Sequence, residues 1–237
     1  MVKEKNNLFL LEKLYNVRDM GGFTTLEGKT TKKYKYIRGS AKGDISEKEK
    51  AHFYDLGVRV VIDLRYTEEI NKTLSPLRDY RDTVYYHVDM MGEFYQMRNA
   101  GYKDLSELYL DLLNDAQPQI KQVFDIFLKY PEEGIYFHCT AGKDRTGIIA
   151  MLLFEIVGLD RATIVSNYSE SYENNKERPG YKKLPPEWVK LVLSEPEYME
   201  KTLMYIDEKF GSSENYLRLI GLTDTELAQI KATFLTE

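Results

Sequence analysis

The chain has few of the residues on which disulfide and metal chemistry depend. Its 237 residues include one cysteine, Cys139, so no internal disulfide can form. The three histidines, His52, His87 and His138, lie far apart in the sequence and lack the spacing of a metal site. The sequence therefore predicts a protein without a disulfide, a metal or another cofactor. A single cysteine also suits a reducing compartment, although it does not prove one.

Positive charge and long apolar runs are also scarce. The 33 Lys and Arg are outnumbered by 38 Asp and Glu, and a net charge of -5 argues against general nucleic-acid binding. No apolar run approaches the roughly 18 residues of a membrane-spanning helix. Residues 1–16 lack the apolar core of a signal peptide, which favours a cytoplasmic protein. A secreted protein whose signal peptide had been removed would look the same, and the oligomeric state stays open.

The pattern of strands and helices predicts one α/β domain over residues 1–237, with two smaller domains as the alternative. Hydrophobic residues make up 43% of the chain, enough for one full core. Strands that alternate with helices indicate a central, mainly parallel sheet flanked by helices, with extra helices at the C terminus. The predicted strands are 35–38, 58–64, 83–88 and 135–138. The predicted helices are 46–56, a short one from 67, a pair within 102–130, 145–157, 160–173, 188–193, 198–210 and 223–235, and the predicted loops include 16–22 and 174–186.

One stretch, residues 135–147, combines an apolar strand, a tight turn and an apolar helix around the single cysteine. Five residues separate Cys139 from Arg145, so a thiolate and a guanidinium can face one phosphate from two sides. A helix N terminus, an arginine and the backbone N–H groups of the turn all stabilise a thiolate, the nucleophilic form of cysteine. The same N–H groups form an anion-binding nest. The stretch predicts removal of phosphate through a phosphocysteine intermediate.

The other residues of this loop have predicted supporting roles. Thr146 can donate its hydroxyl to the sulfur when the thiolate leaves, and His138 is expected to bond to the loop backbone. A nucleotide-binding P-loop is excluded because Asp144 stands where Ser or Thr must follow the lysine. The plain alternative is a buried structural cysteine, against which the arginine spacing and the strand-to-helix context argue. The predicted substrate-binding residues are Thr140, Ala141, Gly142, Lys143 and Thr146.

Two further elements contain candidate residues. Asp63 and Arg65 end a predicted strand, at the edge where open α/β sheets bind ligands. Arg18 lies in the predicted loop at 16–22, where an ion pair with Asp19 and a role in the pocket are equally good interpretations. Asp63, His138 and Arg18 are therefore candidate supporting residues of the site.

The sequence from His138 to Gly147 resembles the cysteine-dependent tyrosine phosphatase superfamily. Within it, the loop is similar to that of a bacterial tyrosine/lipid phosphatase family, which reads His-Cys-x-x-Gly-Lys-Asp-Arg-Thr-Gly. Residues 16–22 resemble that family's Asn-x-Arg-Asp-x-Gly-Gly element, and residues 61–65, followed by Glu68 or Glu69, resemble its Asp-Leu-Arg element. Residues 205–222 resemble its closing helices. One departure is residues 37–40, where the family more often has Tyr-Arg-Ser, so the glycine at 39 leaves the role of Ser40 open.

The resemblance implies a tyrosine-phosphatase-like fold and a two-step reaction in which Cys139 attacks phosphorus and water then hydrolyses the phosphocysteine. It also implies that Asp144, inside the loop, is the general acid. A helix-capping role is the alternative for Asp144, and Asp63 and Asp89 are the other candidate acids.

Lys143 bears on the substrate that the resemblance implies. Related inositol-lipid phosphatases often place a lysine in this loop, where it meets additional phosphates; a solvent-facing lysine without that role is the alternative. The expected partners are phosphorylated proteins and phosphoinositides, with activity on both. The alternatives are an inositol-polyphosphate phosphatase resembling phytases and a phosphate-binding module without catalysis.

Overall fold

The computed structural model describes residues 2–5, 7–41, 45–90, 102–179, 181, 184 and 189–236. Seven strands within these ranges form one sheet in the order β1-β2-β3-β4-β7-β5-β6. The strands β4, β7, β5 and β6 are parallel, and β1, β2 and β3 continue the sheet antiparallel beyond β4. The strands are β1 (Lys3–Lys5), β2 (Leu8–Leu10), β3 (Arg18–Asp19), β4 (Tyr36–Ser40), β5 (Val58–Asp63), β6 (Val84–His87) and β7 (Gly134–Cys139). The predicted central, mostly parallel sheet is confirmed.

Helices flank the sheet, and their ends follow the sequence signals closely. Ser46 and Glu49 form a capping box at the start of α1, as predicted, and Asp160 caps α6. No helix in the described part of the chain is long and apolar enough to cross a membrane. The helices are α1 (Glu47–Asp55), α2 (Thr67–Lys72), α3 (Leu105–Asp115), α4 (Gln117–Lys129), α5 (Asp144–Ile156), α6 (Arg161–Asn175), α7 (Pro196–Phe210), α8 (Ser213–Leu219) and α9 (Asp224–Phe234).

The strand β7 and the helix α5 lie at the centre of the core. All six residues of β7 are buried, and α5 is buried without interruption from Arg145 to Phe154. Side chains of β7 alternate between two apolar clusters, since Ile135 and Phe137 join the larger one and Tyr136 joins the smaller one. Cys139 continues the first set. Packing on both faces therefore fixes the end of β7, where the loop begins.

Some predicted boundaries were wrong. The strand predicted at 35–38 continues through Gly39 and Ser40. Glycine is needed within the strand, since a Cβ at position 39 would lie 2.7 Å from Val17 and 2.8 Å from the Tyr136 hydroxyl. The predicted loop at 16–22 contains β3, and β1 and β2 were not predicted. The helix α8 lies within residues 205–222, which the resemblance assigned to the closing helices. The helix α6 extends two residues into the predicted loop at 174–186. The stretch 188–193 is described only from Val189, which is helical, and residues 190–192 form turns; residues 91–101 lie outside the described part.

Candidate active site

Cys139 is the last residue of β7, and only 1% of its surface is exposed. Residues 140–143 connect it to α5, which begins at Asp144. Lys143 is the N-cap residue of that helix, and no side chain caps it. Two neighbouring strands, β4 and β5, flank β7 and bring their C-terminal ends to the same edge of the sheet. The predicted strand-loop-helix arrangement around the cysteine is therefore present.

The carbonyl groups of the loop point toward buried donors behind it. Asn16 Nδ2 donates to the carbonyl oxygens of Ala141 and Gly142 at 3.1 and 2.9 Å. The first oxygen also accepts a hydrogen bond from Asn175 Nδ2 at 3.0 Å, and the second accepts one from Arg38 Nη2, also at 3.0 Å. Because the C=O and N–H of a trans peptide point in opposite directions, the N–H groups that follow these carbonyls face the other side of the loop. That side can bind an anion.

Gly142 is required by the path of this loop. Its φ of +66° lies in the left-handed region, which side chains other than glycine rarely adopt. A Cβ at this position would also lie 2.4 Å from the backbone carbon and oxygen of Gly39. The departure from the family pattern at residues 37–40 therefore places one glycine against another. Ser40 is buried beside them, where its Oγ accepts a hydrogen bond from the N–H of Tyr15 at 3.1 Å.

The donors behind the loop belong to a polar cluster that we define as Asn16, Arg18, Arg38, Asn167, Ser171 and Asn175. Arg18 Nη2 donates to Asn167 O at 2.6 Å and to Ser171 Oγ at 3.2 Å. Arg38 Nη1 donates to Asn167 Oδ1 at 2.8 Å. Burial lowers the pKa of Arg38 to about 10, and burial and then the charge of Arg38 lower the pKa of Arg18. No carboxylate is hydrogen-bonded to either guanidinium within the described residues.

Arg18 does not pair with Asp19, the neighbour that the sequence offered as its partner. The Asp19 carboxylate instead accepts the backbone N–H groups of Gly21 and Tyr34 at 3.0 and 2.9 Å. Successive residues of a strand point to opposite faces of the sheet, which separates the two side chains. The prediction of a local ion pair was therefore wrong, and Arg18 lies in the polar cluster.

On the other side of β7, Arg145 meets a carboxylate. Its Nη1 and Nη2 donate to Glu69 Oε2 and Oε1 at 2.5 and 3.0 Å. Glu69 also accepts hydrogen bonds from the Thr140 hydroxyl and from the N–H of Tyr66. Although burial opposes both charges, this pairing raises the pKa of Arg145 and lowers the pKa of Glu69. Glu69 thus links α2 to the loop and to its arginine.

Asp144, the candidate acid, is the first residue of α5. Its Oδ1 accepts a hydrogen bond from the Tyr109 hydroxyl at 2.7 Å, and Lys143 Nζ lies 3.4 Å from the same oxygen. Its side chain remains 23% exposed. Since Lys143 is the N-cap residue and no side chain caps the helix, Asp144 does not have the capping role that was its alternative.

Lys143 is buried, with 1% of its surface exposed. Its ammonium group donates to the carbonyl oxygens of Leu191 and Leu193 at 2.9 and 2.7 Å. Burial lowers the pKa of Lys143, and the neighbouring Asp144 opposes that change. The interpretation of Lys143 as a solvent-facing residue was therefore wrong. In this conformation the ammonium holds residues 191–193 against the loop.

Thr146 lies at the start of α5 and is fully buried. Its hydroxyl oxygen makes no hydrogen bond to any residue that the structure describes, and this includes Cys139. The role of a donor to the leaving thiolate therefore stays a prediction. A buried hydroxyl without a partner costs free energy, so a role that appears only during the reaction is consistent with its position.

The Asp63 carboxylate accepts hydrogen bonds from residues just after β5 and within β6 and is poorly suited to act as a general acid. Arg65 Nε and Nη2 donate to its two oxygens at 2.8 and 2.7 Å, and the Tyr85 hydroxyl donates at 3.0 Å. Although burial opposes it, the positive groups of His138 and Arg65 lower the pKa of Asp63 to about 2. The other candidate, Asp89, lies near Tyr66. Burial raises the pKa of the Tyr66 phenol, and the negative charges of Glu69 and, to a smaller extent, Asp89 raise it further.

His138 lies beside Asp63 and is fully buried. Its Nε2 is 2.8 Å from Ser75 Oγ, and its Nδ1 is 3.7 Å from Asp63 Oδ1. Burial lowers the pKa of His138 to about 4, against the attraction of the Asp63 charge. The imidazole is therefore neutral at neutral pH and is positioned by Ser75.

Several residues near the loop were missed by the sequence analysis. Asn16 and Arg38 lie in elements that the resemblance singled out, but without a role at the loop. Asn167 and Asn175 carried no local signal, because each approaches the loop from a distant part of the chain. Tyr181 was placed in a loop without a role. Burial raises its pKa to about 12, with further contributions from the charges of Asp144 and Cys139, so its phenol lies near both. In the described residues no group of three or more His, Cys, Asp or Glu is placed to hold a metal ion.

Comparison with known proteins shows which proteins this chain is similar to. A tyrosine-protein phosphatase of Nostoc commune is 30% identical over 217 residues, which cover 83% of this chain and 72% of that protein. The triple specificity protein phosphatase PtpB of Mycobacterium tuberculosis is 33% identical over 141 residues, 52% of this chain and 50% of that one. The solved structure of TpbA from P. aeruginosa aligns with a TM-score of 0.39 at 12% identity, over 82% of this chain and 91% of that one. The sequence model of the tyrosine phosphatase family matches residues 9–236, and the chain therefore belongs to the tyrosine phosphatase family.

Proposed function

We propose that this chain, as one phosphatase domain, hydrolyses phosphotyrosine and phosphoinositide monoesters through a covalent phosphocysteine intermediate. The observation that carries the proposal is the loop from Cys139 to Arg145. Its carbonyls are bound from behind, its N–H groups face the opposite side, and the helix after it starts without a side-chain cap. Such a loop binds a phosphate group through backbone N–H groups and a bidentate arginine while the thiolate approaches phosphorus.

The reaction then has two balanced steps. The Cys139 thiolate attacks phosphorus, the bond from phosphorus to the substrate oxygen breaks, and the departing oxygen takes a proton from the Asp144 carboxyl. Water then attacks the phosphocysteine, the sulfur–phosphorus bond breaks, and the Asp144 carboxylate takes the proton from water. Arg145 stabilises the charge on the phosphoryl oxygens in both steps. To do so, the Arg145 guanidinium must give up hydrogen bonds to the Glu69 carboxylate and donate to the phosphoryl oxygens instead.

The name of the mycobacterial relative, a triple specificity protein phosphatase, supports a broad substrate range. For phosphoinositides the proposal depends on Lys143, because a second phosphate needs a cation near the loop. The Lys143 ammonium would have to leave the carbonyls of Leu191 and Leu193 to reach such a phosphate. Lipid hydrolysis should therefore respond to Lys143 more strongly than phosphotyrosine hydrolysis does.

The test is phosphate release from a panel of substrates under metal-free conditions. The panel contains a phosphotyrosine peptide, a phosphoserine peptide, three phosphoinositides and inositol hexakisphosphate. We expect turnover of the phosphotyrosine peptide and of at least one phosphoinositide, inhibited by vanadate. The change Cys139→Ser should lower kcat by at least about 10³-fold, since it removes the nucleophile, and acid-quenched protein should carry phosphate on Cys139. Metal-independent turnover that survives Cys139→Ser would contradict the mechanism.

The same panel separates the alternatives. Preference for inositol hexakisphosphate would favour the inositol-polyphosphate phosphatase, and tight phosphate binding without turnover would favour the non-catalytic module. The change Lys143→Met should lower lipid turnover relative to phosphotyrosine turnover. Lys176→Met is the matched control, because Lys176 is an exposed lysine paired with Glu173. An unchanged ratio for Lys143→Met would remove Lys143 from lipid recognition, whereas a panel without phosphoinositide turnover would remove the phosphoinositide part and leave the phosphotyrosine part intact.

A further inference from the structure

Two buried tyrosines from different helices meet the carboxyl group of Asp144. Tyr109 lies on α3 and donates its hydroxyl to Asp144 Oδ1 at 2.7 Å. Tyr168 lies on α6, and its hydroxyl oxygen is 2.6 Å from that of Tyr109. The two rings pack edge to face with centroids 5.8 Å apart, and both side chains are almost completely buried. Three helices thus converge on one carboxyl group.

The direction of these hydrogen bonds follows from the chemistry of the acceptor. An ionised carboxylate can only accept, so the Tyr109 hydroxyl donates to Asp144. The Tyr109 oxygen is then free to accept, and Tyr168 donates to it. Toward the described residues, both polar contacts of the Asp144 carboxyl are made by Oδ1. The chain of donors therefore ends on one oxygen of the carboxyl and leaves Oδ2 for another role.

Packing alone does not account for these hydroxyl groups. Phenylalanine at both positions would fill nearly the same space without burying two hydroxyls, and a buried hydroxyl is costly unless it is hydrogen-bonded. The two phenols satisfy each other, but their chain ends on a partly exposed carboxylate in the catalytic loop. A carboxylate held in this way keeps one orientation, because its rotation would break the bond from Tyr109.

We propose that Tyr109, supported by Tyr168, is the positioning residue of Asp144 in its work as general acid and base. The inference rests on the proposed phosphatase function. Tyr109 holds Oδ1, so that Oδ2 bears the proton that goes to the leaving oxygen. When that proton leaves, the carboxyl becomes charged and the bond from Tyr109 becomes a stronger, charge-assisted one. The phenol therefore stabilises the carboxylate that proton transfer creates.

The test compares two substrates that differ in their need for a proton. Phosphotyrosine has a poor leaving group that needs one, whereas difluoromethylumbelliferyl phosphate has a leaving group that departs as an anion. For Tyr109→Phe we expect kcat/KM to fall about tenfold on phosphotyrosine, the size of one hydrogen bond to a charged group, and less than about twofold on the other substrate. In an Asp144→Asn background the same change should have no further effect on the ratio of the two values.

Tyr216→Phe is the matched control. Tyr216 is a buried tyrosine on α8, and its hydroxyl donates to the carbonyl oxygen of Leu113, which lies on α3 like Tyr109, at 2.8 Å. It should leave the ratio unchanged. Equal losses on both substrates for Tyr109→Phe, or no loss on either, would overturn the positioning role.

If thermal unfolding shows that Tyr109→Phe does not fold, Tyr168→Phe decides the question. A loss of about threefold confined to phosphotyrosine supports the role, since only the second bond of the chain is removed; a ratio equal to that of the wild type overturns it. Wild-type protein that hydrolyses neither substrate contradicts the proposed function and this role together. Active wild type with an unchanged ratio in both variants contradicts only the role of the tyrosines.

Discussion

Arg145 and Arg38 lie on opposite sides of β7, and both are buried next to the same loop, yet their surroundings differ in charge. Arg145 makes a bidentate pair with the Glu69 carboxylate, and its pKa is raised. Arg38 is bonded to the Asn167 amide and the Gly142 carbonyl, and burial lowers its pKa to about 10. A carboxylate can be exchanged for another anion, whereas amide and carbonyl partners are neutral and fixed in place.

The comparison distinguishes Arg145, which we propose binds the phosphate of the substrate, from Arg38, which supports the loop. The pairing of Arg145 with Glu69 holds a charged group ready at the anion-binding side at little cost, because a paired buried charge is stable and an isolated one is not. The burial of Arg38 and Arg18 without a carboxylate is tolerated because several neutral oxygens accept their hydrogen bonds. We expect substitutions on the Glu69 side to affect catalysis and substitutions in the polar cluster to affect the shape of the loop.

The largest effect should follow from Arg145→Lys. Lysine keeps the positive charge and can still pair with Glu69, but it cannot bind two phosphoryl oxygens in one plane. We expect kcat/KM for phosphotyrosine to fall by about 10³-fold, as when a preorganised donor to a transition-state charge is lost. The free energy of unfolding should fall by only about 1–2 kcal/mol, because lysine keeps a charged contact with the buried Glu69 carboxylate and loses the second hydrogen bond. Steady-state kinetics measure the effect on activity, and denaturant unfolding measures the effect on stability.

Arg38→Lys is the matched change on the other side of the strand. One ammonium group cannot span the Asn167 amide and the Gly142 carbonyl as the guanidinium does. Stability should then fall more than it does for Arg145→Lys, and catalysis should fall less. Equal losses of activity in the two variants would show that the distinction between binding and supporting arginines is wrong.

A smaller effect should follow from Asn16→Ala, which removes two hydrogen bonds to the loop carbonyls. The residue also has a φ of 57°, which alanine adopts with strain. We expect a loss of about 2 kcal/mol in the free energy of unfolding. Activity should fall about tenfold on good and poor leaving groups alike, because the whole phosphate-binding loop shifts.

Asn7→Ala provides the control for this change. Asn7 also has a left-handed φ, 67°, and its side-chain amide donates to the carbonyl of Gly21, away from the loop. It should cost stability without a loss of activity. If Asn16→Ala retains full activity despite its lower stability, the cluster supports the fold and has no influence on the alignment of the loop.

The same comparison explains how much of the site could be predicted from the sequence. Cys139 and Arg145 lie in one short loop, so their spacing alone predicted that they meet, whereas the role of Asp144 came from the resemblance to a family. Glu69 could be anticipated only loosely, as a neighbour of the strand end at Asp63. The central strands and most helices were predicted because long apolar periods and capping residues are local signals.

The supporting residues could not be predicted in the same way. Asn16, Arg38 and Asn167 come from three distant segments. The resemblance singled out the elements that contain Asn16 and Arg38, but their contact with the loop depends on the tertiary fold. The strand β3 is two residues long, too short to show an alternating pattern. Had it been recognised, the alternation of Arg18 and Asp19 would have placed them on opposite faces and excluded the ion pair.

The last prediction concerns the pH dependence of stability alone. It rests on His138, another buried basic group beside the loop, which can give up its charge where an arginine cannot. Its pKa is about 4 in the folded protein, because burial outweighs the attraction of Asp63 and because Arg65 and Arg145 repel a proton; in the unfolded chain it is near 6.5. The unfolded state therefore binds the proton first, so stability that is fully present above about pH 6.5 is lost as the pH falls toward 4.

Between about pH 7.5 and 4.5 the wild type should lose up to about 3 kcal/mol more than His138→Gln, whose amide can still reach Ser75. Denaturant unfolding across this range measures the difference. His52 titrates in both proteins and cancels. In the wild type Asp63, with a pKa of about 2, titrates below the range, and in His138→Gln the hydrogen bonds from Arg65 still lower its pKa. Parallel curves would mean that folding does not lower the pKa of His138, so that the imidazole takes up its proton near pH 6.5 even beside Arg65 and Arg145. The buried imidazole of His138 would then tolerate a positive charge without a hydrogen-bonded carboxylate, as Arg38 does. The burial of His138 would in that case not depend on loss of its proton.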